Sequence, residues 1–89
     1  MNEQDFAIDK LQDGTFRVTR TDIEGDYHTH MKSKQLAKTV IHNVCNGKIP
    51  LNSRNYTLIS MYRLSNNEEY RDKIQEILDT RKQKGKKDN

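Results

Sequence analysis

Residues Asp13-Gly14-Thr15-Phe16-Arg17-Val18-Thr19-Arg20-Thr21 run into Asp22-Ile23-Glu24-Gly25-Asp26 and then Tyr27-His28-Thr29-His30-Met31-Lys32-Ser33, which opens an amphipathic stretch ending at Val44. Phe16 and Val18 alternate with Thr15, Arg17 and Thr19, the pattern of a strand with one buried face. Upstream, Phe6 and Ile8 alternate in the same way, and Gln12-Asp13-Gly14 between the two runs is the short Gly-containing connection of a hairpin. Glu24-Gly25-Asp26 reads as a second turn. Beyond it Tyr27, Thr29 and Met31 share one strand face, and His28 and His30 share the other. Three strands with one face covered make a stable minimum, whereas a lone hairpin does not.

The cover is predicted next in the chain. Ser33 is a good N-cap, because its hydroxyl can accept a hydrogen bond from a free backbone N–H of the first turn. Leu36, Ala37, Val40, Ile41 and Val44 then form a single apolar helical stripe, and Asn46-Gly47 closes it. The segment Leu51–Leu64 fits two patterns. Tyr56, Leu58, Tyr62 and Leu64 would line one side of a strand, while Leu51, Asn55, Leu58, Ile59 and Tyr62 make a helical face. Asn52 or Ser53 would cap that helix, and the length of the run favours it over a strand. Asn66 with Glu69 suggests a capping box, and Tyr70, Ile74, Ile77 and Leu78 form a last apolar stripe. From Arg81 the chain is charged, with nothing to bury. The expected architecture is therefore α+β: a three-stranded antiparallel sheet packed by a helix and followed by two C-terminal helices. The order is βββααα, or βββαβα if residues 56–64 form a strand. Residues 1–80 would make one domain and 81–89 a basic disordered tail.

Hydrophobic residues are only 31% of the 89, so the core must be thin, and dimerisation or a partner could supplement it. No apolar run approaches 18 residues and no secretory segment is evident, which argues against a membrane span or export. Cys45 is the single cysteine, so no internal disulfide can form and a cytoplasmic, reducing location fits. The net charge of +3 is unevenly spread. Met1–Asp26 carries Glu3, Asp5, Asp9, Asp13, Asp22, Glu24 and Asp26 against Lys10, Arg17 and Arg20, a net of −4, so the remainder is +7. One basic side favours an anionic partner without saying which anion.

Asp13-Gly14, Phe16, Val18, Asp22, Gly25, Met31-Lys32-Ser33-Lys34 and Ala37 resemble the three-stranded-sheet-plus-helix domains at the N-termini of phage-type tyrosine integrases. Those arm-binding domains are similar in turn to plant AP2-type domains. The resemblance spans residues 6–46. It implies a sheet that enters the major groove of duplex DNA, with the strand residues opposite the helix touching bases and phosphates. By position these are Thr15, Arg17 and Thr19 on the second strand, with His28 and His30 on the third. Arginine can hold guanine edges or phosphate, and threonine can contact either. Arg17 and Thr19 are equally what any half-buried strand shows to solvent, and Asp9 shares their face with the wrong sign for phosphate.

Lys32 near the first helix and Arg81, Lys82 and Lys84 in the tail would extend the basic surface, binding phosphates without sequence choice. Zinc offers a different chemistry: His28-x-His30 on a strand and His42-x-x-Cys45 on a helix are ligands that it accepts. The helix should cover the sheet face opposite His28 and His30, so the two pairs would not converge. No cofactor motif, glycine elbow, P-loop or paired buried acids appears, and the expected protein is not an enzyme. Two functions remain. One is a small nucleic-acid-binding accessory protein of phage or mobile-element type. The other is a protein-interaction module, an inhibitor or adaptor of a host enzyme, using its Tyr- and Met-containing C-terminal helices.

Overall fold

A computed structural model describes residues 1–87, with side chains as far as Gln83. Strands β1 (Phe6–Lys10), β2 (Phe16–Arg20) and β3 (His28–Met31) form one antiparallel sheet in the order β1-β2-β3. Helices α1 (Lys34–Asn46), α2 (Asn55–Leu64) and α3 (Glu68–Lys87) follow. The expected βββααα arrangement is the one observed, and residues 56–64 are helical.

The hairpin register pairs Ile8 with Val18 and Asp9 with Arg17, and across β2 it pairs Val18 with Thr29 and Arg17 with His30. Side chains alternate along each strand, so Phe6, Ile8, Val18, Arg20, Thr29 and Met31 share the inner face. Val18 and Met31 are fully buried there, against Ala37, Val40, Ile41 and Val44 of α1. Leu36, expected within the apolar stripe, sits at its rim and is 36% exposed. Ser33 Oγ accepts from the Leu36 N–H at 3.1 Å. At the other end Gly47 takes the left-handed conformation (φ 64°), and the Lys48 N–H donates to the Asn43 carbonyl at 2.9 Å.

Helix α2 lies beside β3 and between α1 and α3. Leu58, Met61 and Leu64 complete the core, and the Thr29 hydroxyl donates to Ser60 Oγ at 3.0 Å inside it. Two caps differ from expectation. Asn52 and Ser53 lie in a turn closed by the Ser53 N–H on the Pro50 carbonyl, too early to cap α2. Arg54 occupies the cap position with no side-chain bond. In α3 the capping residue is Asn67, one later than expected, its Oδ1 accepting from the Tyr70 N–H at 3.0 Å. Tyr70 donates to the Lys48 carbonyl at 2.7 Å, and burial pushes its phenol up to about 12.

The stretch from Arg81 departs from the expected disordered tail, since α3 continues as far as Lys87. Arg81 is docked: Nη1 donates to Asn55 Oδ1 at 2.8 Å and Nη2 to the Leu51 carbonyl at 2.7 Å. These bonds tie the C-terminal half of α3 to the start of α2 and to the turn before it. Residues 88–89 of the expected tail lie outside the described residues.

Arg20 is the charged member of the core, 5% exposed. Its guanidinium holds Asp22 through two 2.7 Å bonds, donates from Nη1 to the Leu64 carbonyl at 2.9 Å, and lies 5.4 Å from the centre of the Phe6 ring. It thereby joins β2, the loop after it and the last carbonyl of α2, where a cation is also favoured by the helix dipole. Arg20→Ala is expected to cost about 2 kcal/mol in urea unfolding, through the lost bond to the Leu64 carbonyl and the lost packing of its buried stem. The Arg20 hydrogen bonds hold the Asp22 carboxyl below its ordinary value. A carboxylate with a lowered folded pKa stabilises above its unfolded pKa, about 3.9, and loses that contribution as pH falls through the folded value. The wild type should therefore lose stability below about pH 4 more steeply than Asp22→Asn, as read by urea midpoints across that range.

Candidate functional site

The outer face of the sheet carries no helix. Cross-strand pairing arranges it as two rows, Asp9–Arg17–His30 and Ala7–Thr19–His28. Arg17, Asp9 and His30 are exposed, and Ala7, Thr19 and His28 are half-buried. Arg17 therefore stands on the central strand with solvent above it. Among the described residues it has no carboxylate within ion-pair distance, although Asp9 is its neighbour across the hairpin. On this face the acid, Asp9, stands on β1, the arginine on β2 and the two histidines on β3.

Thr15 precedes β2, and its hydroxyl is already committed, donating to Asp13 Oδ1 at 2.6 Å while its N–H donates to the same oxygen at 2.9 Å. These two bonds close the hairpin turn and hold the Asp13 carboxyl below its ordinary value. His28 and His30 meet edge to face with ring centres 5.6 Å apart, and His28 Nδ1 contacts the Asp26 carboxylate. Lys32 is exposed at the end of β3, its ammonium 5.6 Å from the centre of the Tyr56 ring. The Tyr56 hydroxyl in turn donates to the His30 carbonyl at 2.9 Å, covering part of the β3 edge.

Past His28 the sheet face runs into a cleft of about 430 Å³ between β3, its preceding loop and the α2–α3 pair, lined by Asp26, His28, Tyr62, Arg63 and Arg71. Arg71 is fixed by its neighbours. Its Nε donates to the Ser65 carbonyl at 2.6 Å and the Tyr62 carbonyl at 3.1 Å. Its guanidinium lies 4.7 Å from the Tyr62 ring centre and 5.6 Å from that of Tyr27, a geometry that favours a cation on both aromatic faces. Arg63, one residue on from Tyr62, is exposed at the cleft.

The basic residues expected to act together are thus divided. Arg17, Thr19, His28 and His30 share one face, with Lys32 at its end. Arg81 serves as a helix-to-helix clasp and borders grooves lined by Leu51, Ile77, Asn55 and Ile59. Lys82 is exposed on α3, and the Lys84 side chain lies outside the described residues. Nor do the two pairs proposed for zinc converge. His42 is exposed on α1 and takes Asn46 as its neighbour, whereas His28 and His30 lie across the sheet. No group of three or more metal-ligating side chains occurs among the described residues. Burial pushes the Cys45 thiol up, opposite to the shift that makes a cysteine nucleophilic.

Sequence reasoning missed Arg63, Arg71 and Tyr62 as site residues. Tyr62 and Arg63 are adjacent, but only the antiparallel packing of α2 and α3 brings Arg71 to them, and no spacing in the chain signals it. No family model matches the chain, and no curated protein or solved structure is significantly similar to it. Two substitutions separate framework from free surface in this cleft. Arg71→Ala should lower stability by about 2 kcal/mol through its lost carbonyl bonds, and Arg63→Ala should leave it within about 0.5 kcal/mol, both measured by chemical denaturation.

Proposed function

We propose that this protein is a non-enzymatic nucleic-acid-binding accessory protein that engages duplex DNA through the outer face of its sheet. The observation that supports this most is the uncovered Arg17 on the central strand, with Thr19 and His30 beside it. A two- or three-stranded ribbon fits the major groove of B-DNA, and an arginine projecting from it can fork onto a guanine or grip a phosphate. The resemblance of residues 6–46 to integrase arm-binding domains points the same way, and with it a phage or mobile-element setting. The position of the one acid on this face orients the contact. Asp9 makes the β1 edge unfavourable for phosphate, so the backbone is expected to pass on the β3 side, towards Lys32 and the α2–α3 cleft. Lys82, exposed on α3, adds general phosphate affinity, and Lys84 is proposed from the sequence to do the same.

A second function is favoured by a different observation. Leu51 is 74% exposed and Ile59 39% exposed, next to half-buried Ile77 and Leu78 on the α2–α3 surface. Contact with a host protein through these helices would use those aliphatic residues. The Met and Tyr residues expected to form that surface are otherwise engaged, Met61 and Tyr70 in the core and Tyr56 in a hydrogen bond to β3.

Fluorescence anisotropy on duplex DNA at two salt concentrations tests the first. Binding should weaken steeply with salt, and Arg17→Ala should weaken it about tenfold. Asp9→Asn should tighten it about threefold, by removing a like charge near phosphate. Charge reversal at Lys82 and Lys84 should weaken all sequences alike. Absence of binding at low salt would end the proposal. A stoichiometric protein complex that survives nuclease and is lost in Ile59→Asp would instead support the second.

A further inference from the structure

We infer that the cleft between β3 and the α2–α3 pair is a phosphate-binding site, with Arg71 as its fixed fork and Arg63 as a second cation. Arg71 carries the inference. An arginine that only braces a fold normally spends its Nη groups on carboxylates or carbonyls. Here the bracing is done by Nε alone, through the Ser65 and Tyr62 carbonyls. Neither Nη group has a hydrogen-bond acceptor among the described residues, and the side chain lines the open cleft. The Tyr27 and Tyr62 rings lie within cation–π range of the guanidinium and Nε is held by two carbonyls, so little rotamer freedom remains to be lost when an anion arrives. The single acid lining the cleft, Asp26, already contacts His28 and leaves both arginines without a counter-ion. A planar, immobilised fork with a second cation beside it matches the oxygens of a phosphate group, which accept two parallel N–H bonds.

The same chemistry is offered by a backbone phosphodiester or by a phosphate monoester, and the site does not require the sheet to bind DNA. The test is an NMR titration of the full-length, ¹⁵N-labelled protein with inorganic phosphate, against sodium chloride at matched ionic strength. Phosphate should produce saturable shifts of the Arg71 Nε–H signal and of Tyr62 and His28. Arg63→Ala should weaken the apparent affinity several-fold. Arg71→Lys, which keeps the charge and loses the fork, should abolish saturation while the spectrum stays dispersed. Shifts that are equal in chloride and phosphate overturn the inference, as does unchanged phosphate affinity in Arg63→Ala, a variant whose fold is not at risk.

Competition then identifies the source. If duplex DNA without terminal phosphates displaces inorganic phosphate, the site takes a diester. If only 5′-phosphorylated strands displace it, the site takes a monoester. The two proposals fail separately. Duplex binding that depends on Arg17 without any phosphate saturation leaves the sheet contact and removes the cleft. Saturable phosphate with no duplex binding does the reverse.

Discussion

The ion pair of Arg20 with Asp22 governs how this small domain is put together. A three-stranded sheet of fourteen residues cannot bury enough apolar surface to stand alone, and α1 covers only part of it. The remainder is closed by α2, whose C-terminal carbonyl at Leu64 is received by a guanidinium projecting from the inner face of β2. Burying a charge is costly unless it is paired and its donors are used. Arg20 meets that condition through Asp22 in the next loop, Leu64 on the helix and the Phe6 ring. One side chain therefore links the sheet, the loop after β2 and the end of α2.

The packing of α2 beside β3 has consequences on the surface. With α2 drawn to the β3 side, the outer sheet face stays uncovered and β3 becomes the junction between two exposed regions. One is the face that carries Arg17; the other is the cleft built by Tyr62, Arg63 and Arg71. His28 belongs to both, sharing a row with Thr19 and bordering the cleft. Asp9 and His30 stand on opposite sides of Arg17 on the open face, while Asp26, also from the acidic N-terminal third, lines the cleft beside Arg63 and Arg71.

Several local details differ from the sequence pattern by a residue or more, for identifiable reasons. Asn52 and Ser53 are typical capping residues, but Pro50 starts a turn that uses them ahead of the helix. Asn66 and Asn67 are both suitable caps, and Asn67 takes the position because Ser65 Oγ accepts its N–H. Arg81 reads as the start of a solvated tail because no apolar residue follows it. Its partners are the Leu51 carbonyl and Asn55, thirty and twenty-six positions away. Hydrogen bonds of that range leave no mark on local periodicity.

The alternation of apolar and polar residues was enough to determine three strands, their buried and wet faces, and the first helix with both of its ends. Each depends on contacts between near neighbours, which the chain order already holds together. The placement of Arg17 on an open face followed from the same parity. That parity also puts Arg20 beside Phe16 and Val18 on the inner face, with Asp22 two residues on, so the buried arginine and its partner have a local signature in the strand itself. The cleft is of another kind. Tyr27, Tyr62 and Arg71 meet only after α3 folds back along α2 and both settle against β3, so its chemistry is a product of packing. A side chain's face can be read from its own strand or helix, but what stands opposite it is decided by how the layers close.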